Sequence, residues 1–233
     1  MNRRGLYDVK TIVAKYPSIA LPIARRRHGF PVDRETDIVI EGFPRSGNTF
    51  AYTAFLMAQS RPVRAAGRVH APAQLIAAAR WGIPGIVLIR HPDEAIPSFL
   101  IRHPRTGVRQ AIRGWLRFYA PLRPYLNRFV VATFDQATRN LGQVIETVND
   151  RFGTDFTPFR HTEENVRKVW EAIDRDYRTR VGEGAEFDRI VARPSPRREE
   201  QRRQVRELYS ASDLEGDRAR LRKVWERFAS AAT

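Results

Sequence analysis

Residues 37–50 read Asp37-Ile38-Val39-Ile40-Glu41-Gly42-Phe43-Pro44-Arg45-Ser46-Gly47-Asn48-Thr49-Phe50. Ile38-Val39-Ile40 is a β-branched run of the kind that builds a strand buried on both faces. A glycine-bounded turn carrying Pro44 ends it. From Thr49 to about residue 60 the apolar residues Phe50, Ala54, Phe55 and Met57 recur at helical spacing. The stretch therefore predicts strand, turn and helix in succession, the unit from which parallel sheets are made.

The same alternation continues outward. Residues 85–90 form a second apolar run, entered from Gly82 and Pro84, with a helix over 73–81 before it. His91-Pro92-Asp93-Glu94 opens a helix to about residue 102, because Pro and acids suit a first turn. Pro97 kinks that helix or delays its start. A helix over 110–119 closed by Pro121 and Pro124, a third strand over 129–134 and a helix over about 137–152 follow. Beyond Gly153, Thr162 caps a helix to about residue 180. The chain then runs through a glycine-rich, mobile segment (181–186), a basic linker (193–198) and helices over about 199–209 and 217–228. Residues 1–35 read as an arm packed on or near the core. No internal repeat is present. The expectation is one domain, 1–233, with an α/β fold of three layers and a mainly parallel central sheet flanked by helices. Its parts are the arm 1–35, a core 36–155 and a helical C-terminal extension 156–233.

Gly42-x-x-x-x-Gly47 between strand and helix matches the first part of a Walker A loop. Glycines let the backbone curl so that successive N–H groups point at phosphate oxygens, and the helix N-terminus adds positive potential. Asn48-Thr49 stands where a nucleoside triphosphate loop has Lys-Ser/Thr, so Arg45 is the cation of the loop. The blander alternative is a Gly-Pro turn that only joins strand to helix.

Composition bounds the rest. The chain has 233 residues, 42% hydrophobic and 10% aromatic, enough for a core and unlike a disordered chain. It has no Cys, which excludes disulfides, thiolate chemistry and Cys-ligated metals. Lys and Arg number 41 against 26 Asp and Glu, a net charge of +15, and all but Lys10, Lys15, Lys168 and Lys223 of the basic residues are arginines. Arginine grips phosphate bidentately, although an Arg-rich surface also arises from arginine usage alone. No stretch nears the ~20 apolar residues that span a bilayer. The apolar stretch 16–24 is interrupted by Pro17 and Pro22 and lacks a cleavage site. The expectation is a cytoplasmic protein without a transmembrane segment.

Pro44-Arg45-Ser46-Gly47-Asn48-Thr49 resembles the Pro-Lys/Arg-Ser-Gly-x-Thr loop of the sulfotransferases that use 3′-phosphoadenosine-5′-phosphosulfate (PAPS). Arg90-His91-Pro92-Asp93-Glu94-Ala95-Ile96-Pro97-Ser98 is similar to that family's 3′-phosphate motif Arg-x-Pro-x-Asp-x-x-x-Ser, with Glu94 in place of Asp. Phe134-Asp135-Gln136-Ala137 is a weaker copy of its Tyr-Glu-Asp-Leu. Coverage runs from about residue 37 to 153. The resemblance implies a P-loop-type fold and PAPS as co-substrate, with adenosine 3′,5′-bisphosphate as product and no metal requirement. It implies a nucleotide site of Pro44, Arg45, Ser46, Gly47, Asn48, Thr49, Phe50, Arg90 and Ser98. Arg197 and Arg198 stand nearest to its late basic segment. Arg68-Val69-His70-Ala71-Pro72 resembles its Lys-Thr-His-x-Pro stretch, which implies His70 as general base, the alternative being a His that caps the following helix.

Sulfuryl transfer is an in-line displacement, and its demands are positioning and charge stabilisation. Arg45 and His70 are the expected catalytic pair, with Glu41 and Glu94 as other candidate bases. His28, His103 and His161 lie outside the motifs, and His91 reads as structural. Phe99, Trp115, Phe118 and Tyr119 are either core or an acceptor wall. The acceptor is a hydroxyl or an amine on a carbohydrate, a lipid or a small alcohol. Two rivals remain. A P-loop small-molecule kinase, with Arg90 and Arg102 on phosphates, would require a Walker lysine, which is absent, and a magnesium carboxylate, conceivable only at Asp135. A basic nucleic-acid-binding protein without catalysis would require nucleic-acid motifs that this chain does not display; a degenerate sulfotransferase that binds nucleotide without transferring stays open beside these two.

Overall fold

Alternating apolar strands and amphipathic helices demand layers. A computed structural model of the chain, which describes residues 3–26, 30–182 and 196–232, has them. Helices α1 (Arg3–Val13) and α2 (Pro17–Arg25) precede β1 (Ile38–Gly42), α3 (Asn48–Ala58), β2 (Ala65–Gly67), α4 (Pro72–Trp81), β3 (Gly85–Ile89), α5 (Pro92–Arg102) and α6 (Val108–Tyr119). After them come β4 (Val130–Thr133), α7 (Phe134–Arg139), α8 (Leu141–Phe152), α9 (Glu163–Val181), α10 (Pro196–Tyr209) and α11 (Glu215–Ala229). The four strands are parallel in the order β2-β1-β3-β4.

Alternate strand residues feed two separate cores. Ile38, Ile40, Ile86, Leu88, Val130 and Ala132 face α3, α8 and α9, where Phe55, Val148 and Ile173 are buried. Val39, Val87, Ile89 and Val131 face the opposite layer, where Leu75, Ile96, Trp115 and Phe228 are buried. The connection leaving β1 thus covers one face of the sheet and those leaving β3 the other. In open parallel sheets such a switch between neighbouring strands leaves a crevice at their C-terminal ends. Gly42 tightens it: a Cβ there would lie 2.3 Å from Leu88 O on β3.

The structure departs from the sequence expectation in several places. Residues 65–67 form an edge strand although Ala65-Ala66-Gly67 carries no strand signal, and Gly67 leaves no room for a side chain between Ile40 O and the Tyr52 ring. The arm contains two helices. The helix expected over 137–152 is two, because Thr133 and Gln136 cap a new start and Asn140, at φ −147°, breaks the chain before α8. Pro121 and Pro124 sit inside a 3₁₀ segment, Ala120–Arg128. Helix α10 begins at Pro196, within the expected linker. Most of the expected mobile segment and residues 193–195 lie outside the described residues, as does His28.

Candidate functional site

A cleft of about 760 Å³ opens where the four strands end, and residues that follow each strand line it: Phe43–Arg45 after β1, His70 after β2, Arg90 after β3 and Phe134 after β4. The β1–α3 loop is shaped by two left-handed residues, Arg45 (φ 77°) and Gly47 (φ 91°). Arg45 in this conformation costs about 1 kcal/mol or more, strain of the kind held at functional sites. Its Nε donates to Ser98 Oγ at 3.0 Å, and its carbonyl accepts from Arg90 at 3.4 Å. The two sequence motifs therefore meet through side chains. Ala51 N–H is the first to bond within α3, to Gly47 O at 3.0 Å. The amides of Asn48, Thr49 and Phe50 thus have no intrahelical acceptor and gather at the positive end of the helix.

The side chains of Ser46 and Asn48 bond within the fold. Ser46 is fully buried; its N–H closes a turn on Phe43 O at 3.2 Å, and its hydroxyl lies 3.3 Å from Tyr119 Oη. Asn48 donates to Phe43 O at 2.9 Å. Both side chains hold the loop in shape, while Pro44, Arg45, Gly47, Asn48, Thr49 and Phe50 line the cleft. Tyr119 completes the support, donating to Leu88 O at 2.8 Å and accepting from Phe43 N–H at 3.3 Å. It is core and loop anchor rather than acceptor wall.

Arg90 stacks on the Phe134 ring, 4.1 Å from its centre, and donates to Glu94 at 2.9 Å. Glu94, a candidate base from sequence, is thus an ion-pair partner. Ser98 lines the cleft with its hydroxyl engaged by Arg45. The side chains of Arg197 and Arg198 lie outside the described residues. Arg206, farther along the same helix, lines the cleft, and α10 is held on α5 by the Tyr209 hydroxyl donating to Asp93 at 2.8 Å.

His70 is built into place by Glu41, which is fully buried at the end of β1. Glu41 accepts from Val69 N–H and His70 N–H at 2.9 Å each and from Gln74 Nε2 at 3.1 Å. Gln74 in turn accepts from Val32 N–H at 2.6 Å, tying in the N-terminal arm. This wrapping around one carboxyl explains why Arg68 and His70 adopt positive φ, 63° and 55°. His70 Nδ1 lies 3.3 Å from Gly42 O and 3.4 Å from Glu41 Oε1. Both are acceptors in this setting, so a neutral ring carries its proton on Nδ1 and leaves Nε2 to accept. Glu41 is consequently a positioning residue with its oxygens occupied, not a base. The cap of α4 is Ala71, so His70 does not cap that helix.

Sequence reasoning missed several cleft residues. His103, just past α5, is packed on Phe99 with ring centres 4.5 Å apart. Burial, with the charges of Arg102, Arg45 and Lys10, lowers its pKa to about 4. Tyr177 of α9 is pushed up by burial but more strongly down by Arg102, a Thr49 hydrogen bond and Arg45, for a net lowering. Lys10, Arg102, Arg117 and Arg139 add further cations to the lining. Arg102 has a place in the sequence only in the kinase alternative; the other three are marked only by their coming together in space, because they sit on three different helices. His91, by contrast, is structural: Nδ1 accepts from Asp93 N–H at 3.3 Å and the ring packs on Trp225. Asp135 is exposed and 3.7 Å from Arg139. Among the described residues no group of three His, Asp or Glu is arranged to hold a metal ion.

Fold and site together define a parallel α/β protein with a cationic cleft at the strand ends. No family model matches the chain, and no curated protein matches it in sequence. Among solved structures, the mouse sulfotransferase SULT7A1, complexed with PAP, is similar with a TM-score of 0.42 and 11% identity, over 83% of this chain and 90% of that one. A likeness this distant assigns no role to any residue.

Proposed function

We propose that the protein is an enzyme that transfers a sulfuryl group from PAPS to an acceptor hydroxyl, with adenosine 3′,5′-bisphosphate as the other product. The observation that carries this reading is the joining of the two motifs. Arg45 holds Ser98, Arg90 holds the Arg45 carbonyl, and the unpaired amides of α3 face the same cleft as an oriented histidine.

In this reading the amides of Asn48, Thr49 and Phe50 and the Arg45 guanidinium hold the 5′-phosphosulfate. Arg90, with its plane fixed on Phe134, takes the 3′-phosphate, and Arg206 adds charge. His70 Nε2 accepts the acceptor's proton as its oxygen bonds to sulfur. The bond from sulfur to the bridging oxygen breaks, and that oxygen leaves on the adenosine 5′-phosphate beside Arg45. Arginine stays protonated at neutral pH, so Arg45 stabilises charge without donating a proton. The protein is read as one domain, and the ribose and base occupy the part of the cleft toward Phe134 and Trp170.

His70→Ala separates chemistry from binding. Its turnover is expected to fall by about 10²–10⁴-fold, the usual span for a lost general base, with bisphosphate affinity retained. Full turnover in His70→Ala would remove the residue from the mechanism.

A further inference from the structure

Five large apolar side chains, at positions 9, 12, 16, 19 and 23, are spread over α1, the turn that follows it and α2. Val9, Ile12, Tyr16, Ile19 and Ile23 are each 45–47% exposed. The opposite sides of the two helices are already occupied. Tyr7 packs against the α5–α6 layer, and Ala20, Leu21 and Ala24 are buried. Lys15 stands exposed among the apolar residues, and the exposed Arg25 and Arg26 follow the last of them. Asp8 is the single acid of residues 3–26, and it is consumed by Arg113, Arg117 and Gln110 at 3.2, 2.6 and 3.1 Å. The outward face of these two helices is therefore apolar and cationic, and their one acid is engaged by α6. The same α1 walls the cleft with Tyr7, Lys10 and Thr11.

We propose that the outer face of α1 and α2 docks on a membrane surface carrying anionic lipid. The composition decides for that occupant. An apolar ridge accompanied by cations matches an interface whose headgroups are negative and whose acyl boundary is apolar. No helix among the described residues is long and apolar enough to cross a membrane, so the contact is peripheral. The five side chains enter the headgroup–acyl boundary, and Lys15, Arg25 and Arg26 reach headgroup phosphates by snorkelling. The proposal does not depend on sulfuryl transfer.

Vesicle flotation tests it, with phosphatidylcholine alone against phosphatidylcholine containing about a third phosphatidylglycerol. The wild-type chain is expected to float with the anionic vesicles, less so as salt rises, and not with the neutral ones. Because a net charge of +15 attracts any anionic surface, the deciding variant changes no charge: Ile12→Ser/Ile19→Ser/Ile23→Ser. Its binding is expected to drop about tenfold or more, from the lost apolar burial. Leu56→Ser/Met57→Ser, which removes exposed apolar side chains from α3, should bind as wild type. An unchanged circular dichroism spectrum establishes that both variants fold, and Ile19→Ser alone, expected to lose part of the affinity, serves if the triple variant does not. Equal binding by wild type and the α1–α2 variants would overturn the proposal, as would failure of the wild type to float. A dimer in light scattering that the triple variant abolishes without any change in flotation would assign the face to a second copy and equally overturn it.

Discussion

Arg45 and His70 share an unusual backbone. Among the described residues three non-glycine positions have positive φ, and these are two of them, with Arg68 the third. Each is held there by tertiary bonds: Arg45 through Ser98 and Arg90, His70 through Glu41. The strain at Arg45 can be read directly. Arg45→Gly relieves it and Arg45→Ala does not, so chemical denaturation should find the glycine variant more stable than the alanine variant by about 1 kcal/mol. Both should bind bisphosphate poorly. Equal stability would mean that the loop relaxes once the guanidinium is gone. His103 makes the second prediction at this scale. Its folded pKa of about 4 lies below the ordinary histidine value near 6.5, so the unfolded chain takes up a proton between those limits that the folded one refuses. Its contribution is complete above about pH 6.5 and is lost as pH falls toward 4. His103→Gln should flatten the wild-type loss of stability over that window; identical slopes would show that the ring is hydrated and free to charge.

Residue types at 45, 70 and 90 were legible because each follows a strand within a recognisable spacing, and Ser98 because it stands eight residues after Arg90, inside α5. Orientation was not. The left-handed turns at Arg45 and Gly47 bring Ser46 to Tyr119 and Asn48 to Phe43 O, and no spacing rule contains that. Nor was His103 legible as a cleft residue: it looks isolated in sequence and meets the site only because α5 ends beside the cleft.

At the scale of elements, α1 depends on one missing side chain. Gly114 of α6 lies so close to α1 that a Cβ would fall 2.2 Å from the Tyr7 hydroxyl. That hydroxyl is itself buried, which with Asp8 beside it pushes its pKa up to about 12. Gly114→Ala should therefore lift α1 from α6 at a cost of about 1–3 kcal/mol, typical of overpacking. Amide hydrogen exchange should show faster opening of residues 7–14, and because Tyr7, Lys10 and Thr11 wall the cleft, bisphosphate affinity should fall with it. Unchanged exchange would mean that Tyr7 alone swings aside. The strands β1, β3 and β4 were visible in their β-branched runs, and β2 was not. Three small residues form a strand only because β1 offers an unpaired edge, with Ile38, Val39 and Ile40 registered on Ala65, Ala66 and Gly67. The Thr133–Gln136 capping box was present in the sequence as Thr-x-x-Gln, yet Phe134 resembled the end of a strand and hid it.

For the whole molecule, the parallel sheet was legible from alternation, and the cleft followed from where the connections change sides. The composition told less. A charge of +15 is spread over the chain, but the structure sorts it: Arg45, Arg90, Arg102 and Arg206 converge on the cleft, while Lys15, Arg25 and Arg26 stand on the outer face of the arm. Convergence of that kind makes a specific demand on the ligand. Calorimetric titration with adenosine 3′,5′-bisphosphate, beside ADP and ATP with magnesium, measures it without knowledge of the acceptor. Micromolar binding of the bisphosphate is expected, weakened about tenfold or more in Arg90→Ala by loss of a charge-assisted contact, with ADP far weaker. Preference for ATP with magnesium, or binding of none of the three, would contradict sulfuryl transfer from PAPS.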